Sequence, residues 1–387
     1  MQITKLKLTN WRNFQNVDVA LKPRTFVLGA NASGKSNLLD VFRFLRTVAQ
    51  SEGGGLQKAL RDRGGLKKLR SLHARLENRV RIEIELIDDE QDPPVLWRYA
   101  LSIRLEEKGQ HRALVDEETV LRESKVLLRR PDKHDGNDPD RLTQTHLEQI
   151  GSNADFRQIA ESFSGTTYLH LVPQLLKHAD EIAARIPDAD PFGQGLMQRI
   201  ASTPKKTRDA RLKRISDALS RAVPLFSKLR FEQDAVTGLW HLEANFLHWR
   251  GNGAWQRENQ LSDGTLRLFG LMWALQDSNM LLLLEEPELS LNDGIVEQLP
   301  LLIDRVLRDR KKRTSSRQVL VSTHSHSLLQ HLPGDAQILL IEPGDNGSTV
   351  RPPNPHEQEQ LDHGLNAAEV LLPKARPPTI DRIGLQE

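Results

Sequence analysis

Apolar residues fall on alternate positions in three stretches of the chain. Leu6 and Leu8 alternate with Lys5 and Lys7, and after a turn Val17, Val19 and Leu21 alternate with Asp18 and Ala20, which predicts an N-terminal hairpin. Val80, Ile82, Ile84 and Leu86 alternate with charged residues, and Trp97, Tyr99, Leu101, Ile103 and Leu105 resume the pattern beyond Pro93-Pro94. That pairing predicts an antiparallel sheet with one wet face. Phe231 to Trp249 reads as a further hairpin turning at Thr237-Gly238.

Elsewhere the period changes. Thr25 to Leu28 is a short apolar run that stops at Gly29, as a buried strand does when it feeds a glycine turn. Leu38, Val41, Phe42, Leu45 and Val48 follow the helical spacing until Ser51-Glu52-Gly53-Gly54-Gly55 breaks it. Pro131 to Asp140 reads as a polar loop, and Arg141 to Ala222 as mostly helical, interrupted at Pro187 to Gly195. From Leu261 the chain alternates helix, strand (Met280 to Leu284), helix, strand (Gln318 to Ser322) and strand (Gln337 to Ile341). Such alternation predicts a mostly parallel sheet flanked by helices. No internal repeat or sustained heptad predicts a long coiled coil. The Pro-rich tail after Pro343 reads as poorly ordered.

Composition narrows the class. The 387 residues suggest two to three structural units, and Lys+Arg 54 against Asp+Glu 52 leaves a net charge of +2, which excludes a polycation built to coat nucleic acid. The absence of cysteine removes disulfides, thiolate nucleophiles and zinc–cysteine or iron–sulfur sites. MQITKLKLTN lacks the apolar core of a signal peptide, and no apolar run approaches a membrane span, so a cytoplasmic protein without a membrane partner is expected.

Gly29-Ala30-Asn31-Ala32-Ser33-Gly34-Lys35-Ser36 matches G-x-x-x-x-G-K-[ST] between a buried strand and an amphipathic helix, the context of a P-loop. Such a loop wraps phosphates closely with inward-pointing N–H groups at the positive end of a helix, which Gly34 permits. Lys35 is expected to neutralise β- and γ-phosphate oxygens, and the Ser36 hydroxyl to complete Mg²⁺ coordination. Gly29, Asn31, Ser33 and Asn37 complete the expected nucleotide-binding set, and Ala32 stands where many such loops carry glycine. Farther on, Met280 to Leu284 is an apolar strand ending in Glu285-Glu286-Pro287. One acid can hold Mg²⁺ through water while the next activates the attacking water; the plainer reading is two solvated acids at a strand end.

Upstream lies Leu261-Ser262-Asp263-Gly264-Thr265, and downstream Ser322-Thr323-His324-Ser325 follows another apolar strand. In this order the motifs resemble the signature, Walker B and switch histidine of ABC-type ATPases, with Glu288-Leu289-Ser290-Leu291-Asn292 in the place of the D-loop. The opening LKLTNWRNFQN and the EEPE form of Walker B are similar to the RecF, SMC and OLD-type members of the AAA ATP-binding group. The resemblance covers about Met1 to Gln50 and Gln260 to Glu342. Glu285 replaces the commoner aspartate, and Asn292 stands where relatives often have histidine or aspartate.

The resemblance implies an α/β fold: an ABC-type P-loop head with a mixed or parallel sheet, an antiparallel β-lobe and an inserted helical region. Residues 1–140 would form the N-terminal part of the head, 141–225 the helical insert, 226–345 the C-terminal part, and 346–387 a tail. It also implies a homodimer with ATP sandwiched between heads, Ser262 and Gly264 acting on the partner's nucleotide. Glu286 becomes the water-activating base, Glu285 the indirect Mg²⁺ holder, and His324 the γ-phosphate sensor. Arg12 and Asn13 either approach the nucleotide or hold the hairpin. Gln174 is a candidate for the Q-loop glutamine, against a plain role at a helix start. His324 and His326 form H-x-H, but no third ligand stands at metal-like spacing.

The clusters Lys205 to Arg214 and Arg308 to Arg313 either touch DNA or are solvated helix faces. OLD-type relatives fuse the head to a nuclease domain, for which the 63 residues after His324 (387 − 324) are too few. The expectation is an ATP-driven switch in DNA metabolism or antiphage defence acting on a separately encoded effector or nuclease. A RecF-like DNA clamp and, behind it, a transporter ATPase are the alternatives.

Overall fold

The computed structural model describes the chain except residues 75–76, 90, 107–110, 179–191, 249–253, 278–279, 309–316 and 376–387. It divides into two compact units, Met1–Thr166 with Asn279–Leu283 and Asp309–Glu387, and Thr167–Ser278 with Leu284–Arg308. These boundaries differ from divisions at 140, 225 and 345, because strand pairing ties distant segments together while local composition marks only loops.

Among the described residues fifteen strands are numbered in chain order. The first seven are β1 (Gln2–Trp11), β2 (Phe14–Ala20), β3 (Arg24–Gly29), β4 (Val80–Asp88), β5 (Val95–Leu105), β6 (Ala113–Arg122) and β7 (Lys125–Arg130). The second unit contributes β8 (Thr167–Leu169), β9 (Phe226–Gln233), β10 (Trp240–Phe246) and β11 (Ala254–Arg257). Then come β12 (Leu281–Glu285), β13 (Gln318–Thr323), β14 (Gln337–Glu342) and β15 (Thr349–Arg351).

In the first unit β2-β1-β4-β5-β6-β7 make one sheet, antiparallel throughout. The predicted hairpin and the predicted antiparallel sheet are therefore one sheet, joined where Leu6 pairs with Ile84 and Leu8 with Ile82. Its inner face buries Leu6, Leu8, Ile82, Ile84, Tyr99 and Leu101, the alternation that the sequence shows. The second sheet runs β15-β14-β3-β13-β12, with β13 and β14 parallel to β3 on either side. The helix Lys35–Ala49 touches both sheets: Phe44 meets Trp11 of β1 edge to face at 5.3 Å, and the helix packs on β3 and β13. Burying each such aromatic contributes about 1.5–3 kcal/mol.

Two expectations fail here. Pro131–Asp140 is no open loop, because the Asp132 side chain caps a short helix, Lys133–Asn137, and a 3₁₀ turn follows at Pro139–Thr143. One acid of the stretch is not solvated: Asp135 is buried against Arg130, which has no side-chain exposure and holds Asp135 at 2.8 Å and Glu118 at 3.2 Å, while the other charged residues of the stretch stay at the surface. The tail is ordered through Ala375: β15 pairs with β14, and the helix Pro355–Asp362 is capped by Asn354. Ala367, Ala368, Val370 and Leu371 pack with Leu28 and Leu340, a core that its prolines conceal.

In the second unit β11-β10-β9 form an antiparallel sheet, against which the helix Lys205–Ala222 packs. The helix Asp263–Asp277 is apolar nearly all round and is buried from Thr265 to Leu275. The stretch read as mostly helical also contains β8, where Gly165 ends a helix and Thr166-Thr167-Tyr168 supplies strand-forming residues. Most of Pro187–Gly195 lies outside the described residues.

Candidate functional site

β3 delivers the chain to Gly29, and the loop that follows is held in a conformation few sequences tolerate. Ala32 has φ 62° and Gly34 φ 115°. A Cβ at Gly34 would also collide with the Asn13 side chain, so glycine is required there twice over. The helix that starts at Lys35 has no acidic residue in its first turn and no side-chain cap, which leaves its N-terminal N–H groups for an anion. Ser33 Oγ is buried without a hydrogen-bond partner among the described residues. These observations fit a polyphosphate. Lys35, itself buried, donates from Nζ to Gly29 O at 2.9 Å and Ala30 O at 3.2 Å, so its ammonium lies on the loop it is expected to serve. Ser36 and Asn31 are exposed at the rim, while Asn37 donates to Asn13 Oδ1 at 2.8 Å.

Arg12 is engaged elsewhere. Its Nη2 and Nε donate to Asp40 Oδ2 at 2.7 and 3.1 Å, and Arg63 donates to the same carboxylate at 2.7 and 2.9 Å. Burial pushes the Asp40 carboxyl upward, but Arg63 and Arg12 outweigh it and hold it below the usual range. The structure thus places Arg12 as a brace on the phosphate-loop helix.

His324 follows β13. Thr323 pairs with Leu28, and on the other side Ile341 pairs with Gly29, so His324 emerges level with the start of the loop, at the same carboxyl edge of a parallel sheet. It is exposed, and Ser325 caps the helix His326–Gln330 just after it.

The second unit carries the other motif residues. Glu285 ends β12; the Tyr168 hydroxyl donates to its carboxylate, and His170 Nδ1 lies 3.3 Å from its carbonyl oxygen. Glu286 takes a left-handed φ of 45°, a strained turn for a side-chain-bearing residue. Ser262 caps the signature helix, its Oγ accepting from Thr265 N at 3.2 Å. Gly264 lets this helix touch the D-loop, since a Cβ there would stand 2.6 Å from Ser290 O. Gln174 donates to Asp263, and Lys177 reaches the same carboxylate at 2.6 Å, holding it below its ordinary range. Gln174 therefore combines a place in the first turn of a helix, Pro173–Lys177, with a contact to the signature. Asn292 Oδ1 accepts from Gly294 N at 2.9 Å and so starts the next helix. A cavity of about 790 Å³ runs along this face past Ser262, Gly264, Leu268, Met272, Ser290 and Leu302.

Half of the first basic cluster is engaged within the fold. Arg208 stacks over Trp240 at 4.8 Å and Phe231 at 5.5 Å, Arg211 pairs with Asp277, and Arg214 donates to Gln276 at 2.6 Å, leaving Lys205, Lys206 and Lys213 exposed. Asp309 to Arg313 of the second cluster lie outside the described residues. The motif reading missed Tyr168, His170 and Ser348; for Tyr168 the Gly165-Thr166-Thr167 break was the available signal.

A family model described as "AAA domain, putative AbiEii toxin, Type IV TA system" matches residues 24–330. No curated protein matches. Among solved structures, an SMC head bound to the C-winged helix domain of ScpA is 16% identical, with TM-score 0.55, and the match covers 92% of this chain and all of that one. The SMC head of Pyrococcus furiosus, with an extended coiled coil and bound to the C-terminal domain of ScpA, has TM-score 0.52 at 13% identity, covering 94% and 98% of the two chains. That of Pyrococcus yayanosii, with a coiled coil and joint, has TM-score 0.52 at 12% identity over 93% and 98%. The fold is that of an SMC-type head, a mixed α/β P-loop architecture. Among the described residues no helix is long and apolar enough to cross a membrane.

Proposed function

The chain belongs to this AAA-domain family, and from that premise we propose that it is an ATP-binding and ATP-hydrolysing switch whose complete sites form between two copies. The observation that carries the reading is the phosphate loop: left-handed Ala32 and Gly34, a helix start without an acid, and an unpartnered Ser33 hydroxyl. Bound Mg²⁺–ATP supplies the labile phosphoanhydride. Lys35 and the loop N–H groups would hold its phosphates, Ser36 and, through water, Glu285 would hold the metal, and His324 would read the γ-phosphate. Glu286 takes a proton from the attacking water. Ser262 and Gly264 meet the nucleotide of the other copy, which suits a half-exposed signature whose serine already caps its own helix.

The switch acts in DNA metabolism or antiphage defence through a separately encoded effector, and works in the cytoplasm. Purified protein is expected to hydrolyse ATP only with Mg²⁺, and Glu286→Gln to accumulate as an ATP-bound dimer by light scattering. A Glu286→Gln protein that turns over at the wild-type rate removes the base assignment. Native co-purification tests the partner: a nuclease or toxin supports the effector reading, and DNA alone favours the clamp.

A further inference from the structure

The segment beyond the switch histidine reaches back to the phosphate loop. Ser348, immediately before β15, is 7% exposed, and its Oγ donates to Ser33 O at 2.6 Å. Asn13 Nδ2 donates to the same carbonyl at 2.7 Å and to Ser348 Oγ at 2.9 Å. The two segments are themselves joined, Ser348 N donating to Asn13 O at 2.8 Å. Two donors from ends of the chain 335 residues apart thus converge on one carbonyl oxygen.

That carbonyl belongs to the Ser33–Gly34 peptide, which is planar and trans, so its C=O and the Gly34 N–H point in opposite directions. Pinning the oxygen fixes the N–H. The pin matters at this bond because Gly34, with φ 115°, lacks the Cβ that would otherwise resist a flip of the plane. A flip would turn a carbonyl dipole towards a polyanion.

We propose that Asn13 and Ser348 are positioning residues that lock the Ser33–Gly34 peptide with its N–H aimed at bound phosphate, so the C-terminal segment pre-forms the nucleotide loop. The inference rests on the ATP reading but has a readout that needs no nucleotide.

In the full chain without nucleotide, Ser348→Ala is expected to speed amide hydrogen exchange across residues 31–36 by about 5-fold, the worth of one net hydrogen bond. Its Kd for a fluorescent ATP analogue rises by a similar factor, while kcat at saturating ATP stays within about twofold. Asn13→Asp, which sets a carboxylate against the carbonyl, has a larger effect on both. Ser348→Thr, which keeps the hydroxyl, restores both. The double variant Asn13→Ala with Ser348→Ala costs less than the sum of the singles, because both donors serve one oxygen. Wild-type exchange and wild-type affinity in both Ser348→Ala and Asn13→Asp, with melting temperature unchanged, overturn the proposal. If Lys35→Ala leaves nucleotide affinity intact while Ser348→Ala still speeds exchange, the ATP reading fails and the peptide lock stands.

Discussion

The two units hold their motif residues in different ways. Around the phosphate loop of the first, Ser33, Gly34 and Lys35 are buried, side chains from Asn13 and Ser348 brace the backbone, Asn37 holds the Asn13 side chain, and Arg12 and Arg63 grip the helix behind it at Asp40. In the second unit Ser262 is exposed and Asp263, Gly264, Glu285 and Glu286 are half-buried. There Tyr168 and His170 position Glu285, and Gln174 and Lys177 hold Asp263. A loop that must offer N–H groups to a polyanion is formed in advance within its own unit. The signature is left accessible, at a surface where another molecule can press on it.

The sharpest way to separate the two is to remove chemistry from one without the other. Glu286→Gln is expected to lower ATP turnover about 1,000-fold while nucleotide affinity stays near wild type, measured by phosphate release and by equilibrium binding. Lys35→Ala should do the reverse in order of cause, weakening ATP binding about 100-fold through loss of a charge-assisted contact. A large affinity loss in Glu286→Gln would blur the division.

Smaller effects test the bracing itself. Arg63→Ala leaves Asp40 with Arg12 at 2.7 Å and the looser Arg43 at 3.8 Å and is expected to cost about 2–3 kcal/mol in urea unfolding, whereas an unchanged midpoint would make those two sufficient. Glu148, which accepts N–H bonds from Leu56 and Thr145 behind the same unit, is pushed by burial from 4.5 to about 7. The folded state therefore holds an extra proton between those values. This contribution to stability is complete below about pH 4.5, falls as pH rises towards 7 and is level above it, a change on the order of 3 kcal/mol. Glu148→Gln should flatten that slope in denaturation series. Lys177→Ala, at a half-buried pair in the second unit, should cost under about 1 kcal/mol of stability. A larger loss would mean that the signature is braced as firmly as the phosphate loop.

Much of this is legible in the sequence. Alternation at Val80 to Leu105 gave β4 and β5 because a half-buried strand must alternate. Gly29 to Ser36 announced a phosphate loop because the G-x-x-x-x-G-K-[ST] spacing stands between a buried strand and an amphipathic helix, although Ala32 gave no sign of its left-handed φ. Arg12 shows the limit: its chemistry suits a phosphate as well as a carboxylate, and only the tertiary structure shows that it lies on Asp40 beside Arg63. Pro131–Asp140 misled for a related reason, since Asp135, buried against Arg130, reads in sequence like the exposed acids around it.

The sequence by itself determined the strands, the helix after the loop and the identities of the motif residues, since these depend on periods and spacings within a few turns of chain. Tertiary structure alone decided that Ser348 lies against Ser33, that Tyr168 holds Glu285, and that the Pro-rich tail is part of the core. Hydrogen bonds at such separations leave no periodic trace, because a serine hydroxyl or an asparagine amide looks the same in sequence whether it meets water or a carbonyl hundreds of residues away.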